Sequence, residues 1–440
     1  MIIIESSKLS SFILHATLLT GLSFVTHATA QSTYLIDLNN KTAIELGAFP
    51  TSLSRPTAIN DSGQVVGYFA TVWGSSHAFI TGPHGVGITD LGTLGGAQSF
   101  AYGINDAGQV VGRSELPSRG SAHAFITGVN GEGMRDLGPL GSNYSEGLAI
   151  NGAGRVVGRA NASDTNFGHA FITGPNGEGA RDLGTLGGNY SVGLAVNSSG
   201  QVVGRAYTSE NNFPRAFITG PNGEGMKELS ALTGHYSEAR DINDSGEVVG
   251  WSYASPNILS AHAFITGPNG EGARDLGTLG GSFSEALGIN DSGEVVGQAD
   301  TRDYNTKHAF ITGPKGDGMA DLNSLVDLPE GVILTRAVDI NNTGQVVAMA
   351  SVIPEPEVYA LLLAGLCLIR FMNWRNKFFP PHPFPQEAPK FLYLPSPSAF
   401  ISKLGRPGLP SAVFSPVDFS HGFHCVINLA CKRRCSSVRS

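Results

Sequence analysis

The sequence predicts an all-β protein: a seven-bladed β-propeller closed by pairing of its N- and C-terminal half-units. Three observations predict it. A unit of about 46 residues recurs along the chain. Each unit carries four short strand patterns separated by Gly-, Asn- and Pro-rich turns. The repeat array begins with the second half of a unit and ends with the first half of one.

The repeat is anchored by three segments. I-N-D-S-G-Q-V-V-G starts at Ile59, and variants start at Ile104, Ile150, Val196, Ile242, Ile289 and Ile340. H-A-F-I-T-G starts at His77, His123, His169, His262 and His308, with Arg215 replacing His in one unit. D-L-G-T-L-G-G or a relative starts at Asp90, Asp136, Asp182, Glu228, Asp275 and Asp321.

One unit shows how the strands are read. Ser191 to Val196 is a strand and Asn197-Ser198-Ser199-Gly200 a turn. Gln201 to Ala206 is the second strand, and a variable loop leads to the third at Arg215–Thr219. Gly220-Pro221-Asn222-Gly223-Glu224-Gly225 turns the chain into the fourth, Met226–Leu229. Gly supplies positive φ, Asn and Asp tolerate the left-handed region, and Pro presets φ. Strands rich in Val, Ile and Phe suit a pleated sheet. Their apolar runs, such as Val202-Val203 and Ala216-Phe217-Ile218, are continuous rather than alternating, which marks sheets buried on both faces, as blades are by their neighbours. Two places after the Ser of the first strand stands a small residue (Ala101, Gly147, Gly193, Ala239, Ala286), as expected of an innermost strand crowded around the axis.

The ends imply closure. Tyr34-Leu35-Ile36-Asp37 matches the third strand and Ile44-Glu45-Leu46-Gly47 the fourth, while Ala337–Val352 supplies a first and second strand. Six whole units and this split one make seven, and pairing the halves removes exposed sheet edges. A linear β-solenoid of repeats is the alternative.

The chain beyond the repeats divides into segments. Residues 1–30 read as a signal peptide: Lys8, an apolar stretch from Ser11 to Val25, and an A-x-A site at Ala28-Thr29-Ala30 before Gln31. Residues 31–352 are the repeat domain. They hold no Cys, so the expectation is neither a disulfide framework nor a thiolate metal site. Residues 353–377 combine Pro354-Glu355-Pro356, an apolar run from Val358 to Ile369, and the basic residues Arg370, Arg375 and Lys377, the pattern of a membrane-halting segment with a positive flank. Residues 378–440 are Pro-rich without periodicity and read as a disordered tail. The net charge is −8, with seven Lys/Arg against two Asp/Glu in residues 378–440. The acidic remainder excludes nucleic acid as the expected partner.

The repeated residues read as scaffold. A ring of histidines on separate blades cannot converge within the ~2 Å of a zinc ion, so each is expected to bond locally, and Arg215 breaks the series without other change. Asp61, Asp106, Asp244 and Asp291 become Gly152, Ser198 and Asn342 in other units, which fits turn propensity rather than calcium. No metal or cofactor is expected. Variation between units concentrates in the connections 68–76, 113–122, 159–168, 205–214, 251–261 and 298–307. Within them Trp73, Tyr207, Trp251, Tyr253 and Tyr304 are the candidate binding residues, since aromatics with polar neighbours stack on sugars or anchor proteins. They are expected on the face of the disc opposite the N-D-x-G and G-P-N-G-E-G turns.

These motifs resemble those of the extracellular HAF-repeat family over roughly residues 31–352, and 353–377 resembles a PEP-CTERM sorting signal, although 63 residues follow Lys377. The resemblance implies export by signal peptidase and processing by an exosortase-like enzyme. It also implies transient anchoring in the inner membrane and a place at the surface of a Gram-negative bacterium linked to exopolysaccharide. A non-enzymatic protein binding polysaccharide or an envelope protein is the expectation. A propeller-type glycosidase or lyase is the alternative, although no carboxylate pair stands out from the repeats.

Overall fold

The computed structural model describes residues 30–47, 54–71, 74–118, 120–138, 143–161, 167–210, 213–230, 232, 236–253, 260–303, 306–352, 365–372 and 374. Ala28, Pro354, Glu355, Pro356, Arg375 and Lys377 lie outside these. Residues 365–372 are helical with Arg370 exposed, and among the described residues no helix is long and apolar enough to cross a membrane.

The repeats form seven four-stranded antiparallel units. Blades 1 to 6 comprise residues 54–90, 99–136, 145–184, 187–228, 237–277 and 280–321. Blade 7 is composite. Val332–Ile340 and Gln345–Val352 are its first and second strands, and Ala30–Asp37 and Thr42–Glu45 its third and fourth. Ala30–Asp37 pairs antiparallel with Gln345–Val352 through eight registered positions, from Ala30 opposite Val352 to Asp37 opposite Gln345. The half-units therefore join within one blade, as the sequence requires. The first strand of blade 7 then packs on the first strand of blade 1, so the array is a closed ring and not a solenoid.

The first strands are innermost. Together they line an axial channel, with Ile59, Ile104, Ile150, Val196, Ile242 and Ile289 among the lining residues. The core lies in the seams between blades. Val249, Ala263 and Ile265 of blade 5 meet Ala286, Ile289, Val295 and Phe310 of blade 6. Both valines of V-V-G are buried, as are Phe79, Phe125, Phe217, Phe264 and Phe310. The glycine that follows the valines is required by close approach: a Cβ on Gly112 would run into the carbonyl of Phe100 on the bulged first strand, and the same holds at Gly158, Gly204, Gly250 and Gly297. In blades 2 to 6 a Ser of the first strand fastens the seam. Ser99 Oγ accepts the amide of Ala78 in the preceding blade at 2.9 Å, and Ser145, Ser191, Ser237 and Ser284 do the same for Ala124, Ala170, Ala216 and Ala263. The buried amide of the third strand, which lies beyond the registered pairs with the short fourth strand, thus finds a partner in the next blade.

Candidate functional site

One face of the disc is regular. The N-D-x-G and P-N-G turns of a blade bond to each other, as in Asn130 N to Ala107 O and Gly131 N to Gly108 O. The middle residue of P-N-G has positive φ in every blade from 1 to 6: His84, Asn130, Asn176, Asn222, Asn269 and Lys315. The Asn of I-N-D-x-G, passed over in the sequence as a turn former, does more. Its Oδ1 caps its own turn, and its Nδ2 donates to the backbone carbonyl of the equivalent Asn in the next blade. The series runs Asn60, Asn105, Asn151, Asn197, Asn243, Asn290 and Asn341, and returns to Asn60, with distances of 2.9–3.5 Å. A second set uses the next residue. Asp106 Oδ1 accepts the amide of Asp61, Asp244 that of Ser198, Asp291 that of Asp244, Asn342 that of Asp291, and Asp61 that of Asn342. The acidic position is thus an acceptor between blades, which Asn can fill and Gly152 cannot.

The histidines pair within their own blades. Nδ1 of His77, His123, His169, His262 and His308 lies 2.6–2.9 Å from Asp90, Asp136, Asp182, Asp275 and Asp321. The same carboxylates cap the turn that follows, as Asp136 does for Gly138 N at 2.7 Å. The expectation that Arg215 stands alone in its change is corrected. Its partner changes with it: Glu228 replaces Asp, and Arg215 Nε lies 3.7 Å from Glu228 Oε1. Both positions of the pair differ from the other blades.

The opposite face holds the residues that differ between blades. Trp73 and Tyr304 lie outside the described residues. Tyr207, Trp251 and Tyr253, expected in loops, are strand residues. The second strands run on through Val202–Thr208 and Val248–Tyr253, so these rings are fixed at the strand ends that face the loops. Tyr236, not singled out in the sequence, completes the group. Its ring stacks on Trp251 at 4.8 Å and 22°, and Tyr253 meets both edge-on at 5.8 and 5.9 Å. Within blade 4, Tyr207 meets Tyr190 edge-on at 5.7 Å. Trp251 Nε1 is buried with no hydrogen-bond partner among the described residues.

Trp251 itself belongs to one layer of equivalent positions. In the strand registers Arg55 faces Tyr68, Phe100 faces Arg113, and Glu146 faces Arg159. Val192 faces Arg205, Glu238 faces Trp251, Glu285 faces Gln298, and Arg336 faces Met349. The side chains link across the seams. Arg113 donates to Tyr144 Oη at 3.1 Å, which donates to Glu146. Arg159 pairs with Glu146 at 3.0 Å and reaches Tyr190 Oη. Arg205 pairs with buried Glu238 at 2.6 Å, and Arg240 joins Glu238 to Glu285 at 3.0 and 2.7 Å. Burial and the Glu238 charge hold the Tyr236 hydroxyl above its ordinary range.

Deeper in the channel, Asp241 and Asp339 occupy the place held by Ala58, Gly103, Ala149, Ala195 and Gly288 in the other blades. Asp241 accepts the amides of Ile242 and Ile289, and Asp339 those of Ile340 and Ile59. Desolvation raises both acids, Asp241 to about 6 and Asp339, further raised by Asp241, to about 8.

No family model matches the chain, and no curated protein matches it. Among solved structures, a putative TolB from Agrobacterium tumefaciens is 9% identical with a TM-score of 0.42, over 74% of this chain and 99% of that one. The β-propeller domain of the Trilobed protease from Pyrococcus furiosus is 12% identical with a TM-score of 0.44, over 66% and 87%. An oligogalacturonate lyase in complex with manganese is 10% identical with a TM-score of 0.42, over 74% and 91%. The assignment of the ring rests on its own strand order and closure.

Proposed function

We propose that this is an exported, surface-associated propeller whose loop face binds a polysaccharide without transforming it. The observation that carries the reading is the aromatic group of Tyr236, Trp251 and Tyr253, held on rigid strand ends beside hydrogen-bonding Arg and Glu. Flat rings with polar neighbours suit the apolar face and hydroxyl rim of a sugar. The carboxylates nearby support binding over hydrolysis. Glu146, Glu238 and Glu285 are each committed to arginines, and both oxygens of Asp241 and Asp339 already accept backbone amides. Glu146, Glu238 and Glu285 are therefore not free to protonate a leaving group.

Export and sorting belong to the same proposal. Signal peptidase cleaves after Ala30 and an exosortase-like enzyme acts at Pro354-Glu355-Pro356. Mature protein then begins at Gln31 and lacks the C-terminal tail; an intact mass extending to Ser440 on surface protein counts against it. A glycan-array screen of the mature protein tests binding. Trp251→Ala and Tyr253→Ala should each cost about 2 kcal/mol of affinity, as truncated aromatic hot spots do. Asn222→Gly on the turn face should change nothing. Loss in the turn variant alone would overturn the reading, and release of reducing or unsaturated ends would favour an enzyme.

A further inference from the structure

The charges of the layer that holds Trp251, together with the adjoining Arg240, are unbalanced. Arg55, Arg113, Arg159, Arg205, Arg240 and Arg336 face three carboxylates, Glu146, Glu238 and Glu285, in a chain whose net charge is −8. The surplus is local. Glu238 is shared by Arg205 and Arg240, and Glu285 is taken by Arg240 at 2.7 Å and by Gln298 at 2.9 Å. Arg336 is left with Glu285 at 3.8 Å. Arg55, one blade further at the seam that closes the ring, is exposed, and among the described residues no carboxylate lies within ion-pair distance of it. Arg55 and Arg336 hold equivalent places on adjacent innermost strands. Tyr68, opposite Arg55, presents a ring that meets Phe100 edge-on at 4.9 Å.

We propose that the polysaccharide bound by the loop face is anionic, and that Arg55 and Arg336 receive its carboxylate or sulfate groups at the mouth of the channel. This rests on the binding reading above. Two adjacent guanidinia that lack a full carboxylate partner repel each other until an anion sits between them, and the planar fork suits carboxylate or sulfate. Burial lowers the proton affinity of Arg336 against the opposing pull of Glu285, and Arg240 and Arg55 add to the lowering. A neutral glycan would leave that repulsion in place.

The test uses the exported protein with alginate, carboxyl-reduced alginate, dextran sulfate, dextran and single-stranded DNA as probes, at two salt concentrations. At least one acidic polymer should bind about tenfold or more tightly than its neutral counterpart, and the preference should shrink at high salt. Arg55→Gln together with Arg336→Gln should bring the ratio close to one, while Trp251→Ala should weaken acidic and neutral polymers alike. Arg55→Gln alone, at an exposed position, should show part of the same loss if the double variant fails to fold. Equal binding of acidic and neutral forms overturns the anionic preference and leaves the binding reading intact. A preference that survives the Arg variants overturns the assigned residues, and DNA binding of equal strength and equal Arg dependence overturns polysaccharide selectivity. Failure to bind any of the acidic polymers overturns the inference, and the binding reading falls with it only if the full glycan panel is also empty.

Discussion

Asn341 Nδ2 donates to the backbone carbonyl of Asn60 at 2.9 Å across 281 residues of chain. This bond closes the last gap in the circle of seven asparagines and joins blade 7 to blade 1. Asn is the one residue that fits: Oδ1 accepts the amide of Gln345 at 2.8 Å while Nδ2 serves the next blade, so Asp lacks the donor and Gly lacks both. Asn341→Ala should therefore cost about 2 to 3 kcal/mol, since it orphans buried groups on both sides of the seam. Asn105→Ala, mid-ring, should cost a similar amount in thermal or denaturant unfolding; a cost at Asn341 alone would show that the circle does not act as one system.

Closure of the ring by the chain ends gives a second expectation. Removing residues 31–47 deletes two strands of blade 7 and exposes the edge of Gln345–Val352. The truncated domain should unfold at lower temperature and self-associate in light scattering, because the bare edge is a template for strand addition. A monomeric truncation with the parent melting temperature would refute the dependence.

The exchange of His and Asp for Arg215 and Glu228 can be replayed in another blade. His169→Arg and Asp182→Glu should each lower stability slightly, and the double variant should recover part of it. The coupling should be about 0.5 kcal/mol, as befits a partly exposed pair. Strict additivity in the double-mutant cycle would mean that the pairs vary independently.

Asp339 and Asp241 set a pH dependence. Their pKa values in the folded protein, about 8 and about 6, lie above the ordinary 3.8. The folded state therefore holds more protons than the unfolded chain through this window. Their contribution is fully present below about pH 4 and is lost as pH rises through 6 and then 8. Stability should therefore fall as pH rises from 5 to 9. Asp339→Ala, which installs the residue found at Ala58, Ala149 and Ala195, should flatten that fall. An unchanged slope in the variant would exclude Asp339 as its source.

Much of this architecture was readable along the chain, because the physics that encodes it is local and repeated. Turn chemistry at N-D-x-G and P-N-G, apolar runs buried on both faces, and half-units at the two ends depend on neighbours in sequence. Together they defined four-stranded blades, their number and their closure. The small residue two places after the Ser in blades 2 to 6 likewise pointed to the innermost strand, and in the structure Ala101, Ala239 and Ala286 meet the size limit of the seams between blades rather than of the axis.

Contacts between blades were decided only by the tertiary structure. The Asn circle, the Ser staples and the linked Arg, Tyr and Glu side chains join residues about 20 to 50 positions apart, or 281 at the closing seam, and repetition disguises each of them as scaffold. Trp251 and Tyr253 drew notice as variable residues, yet Tyr236, which stacks on Trp251, sits in a recurring N-Y-S-like segment and drew none. Whether Arg336 is satisfied depends on how many guanidinia share Glu285, and that is fixed by the angle and spacing of three separate blades. A sequence lists charges one by one, but ring closure brings them to a common axis, where partners are shared and the surplus emerges.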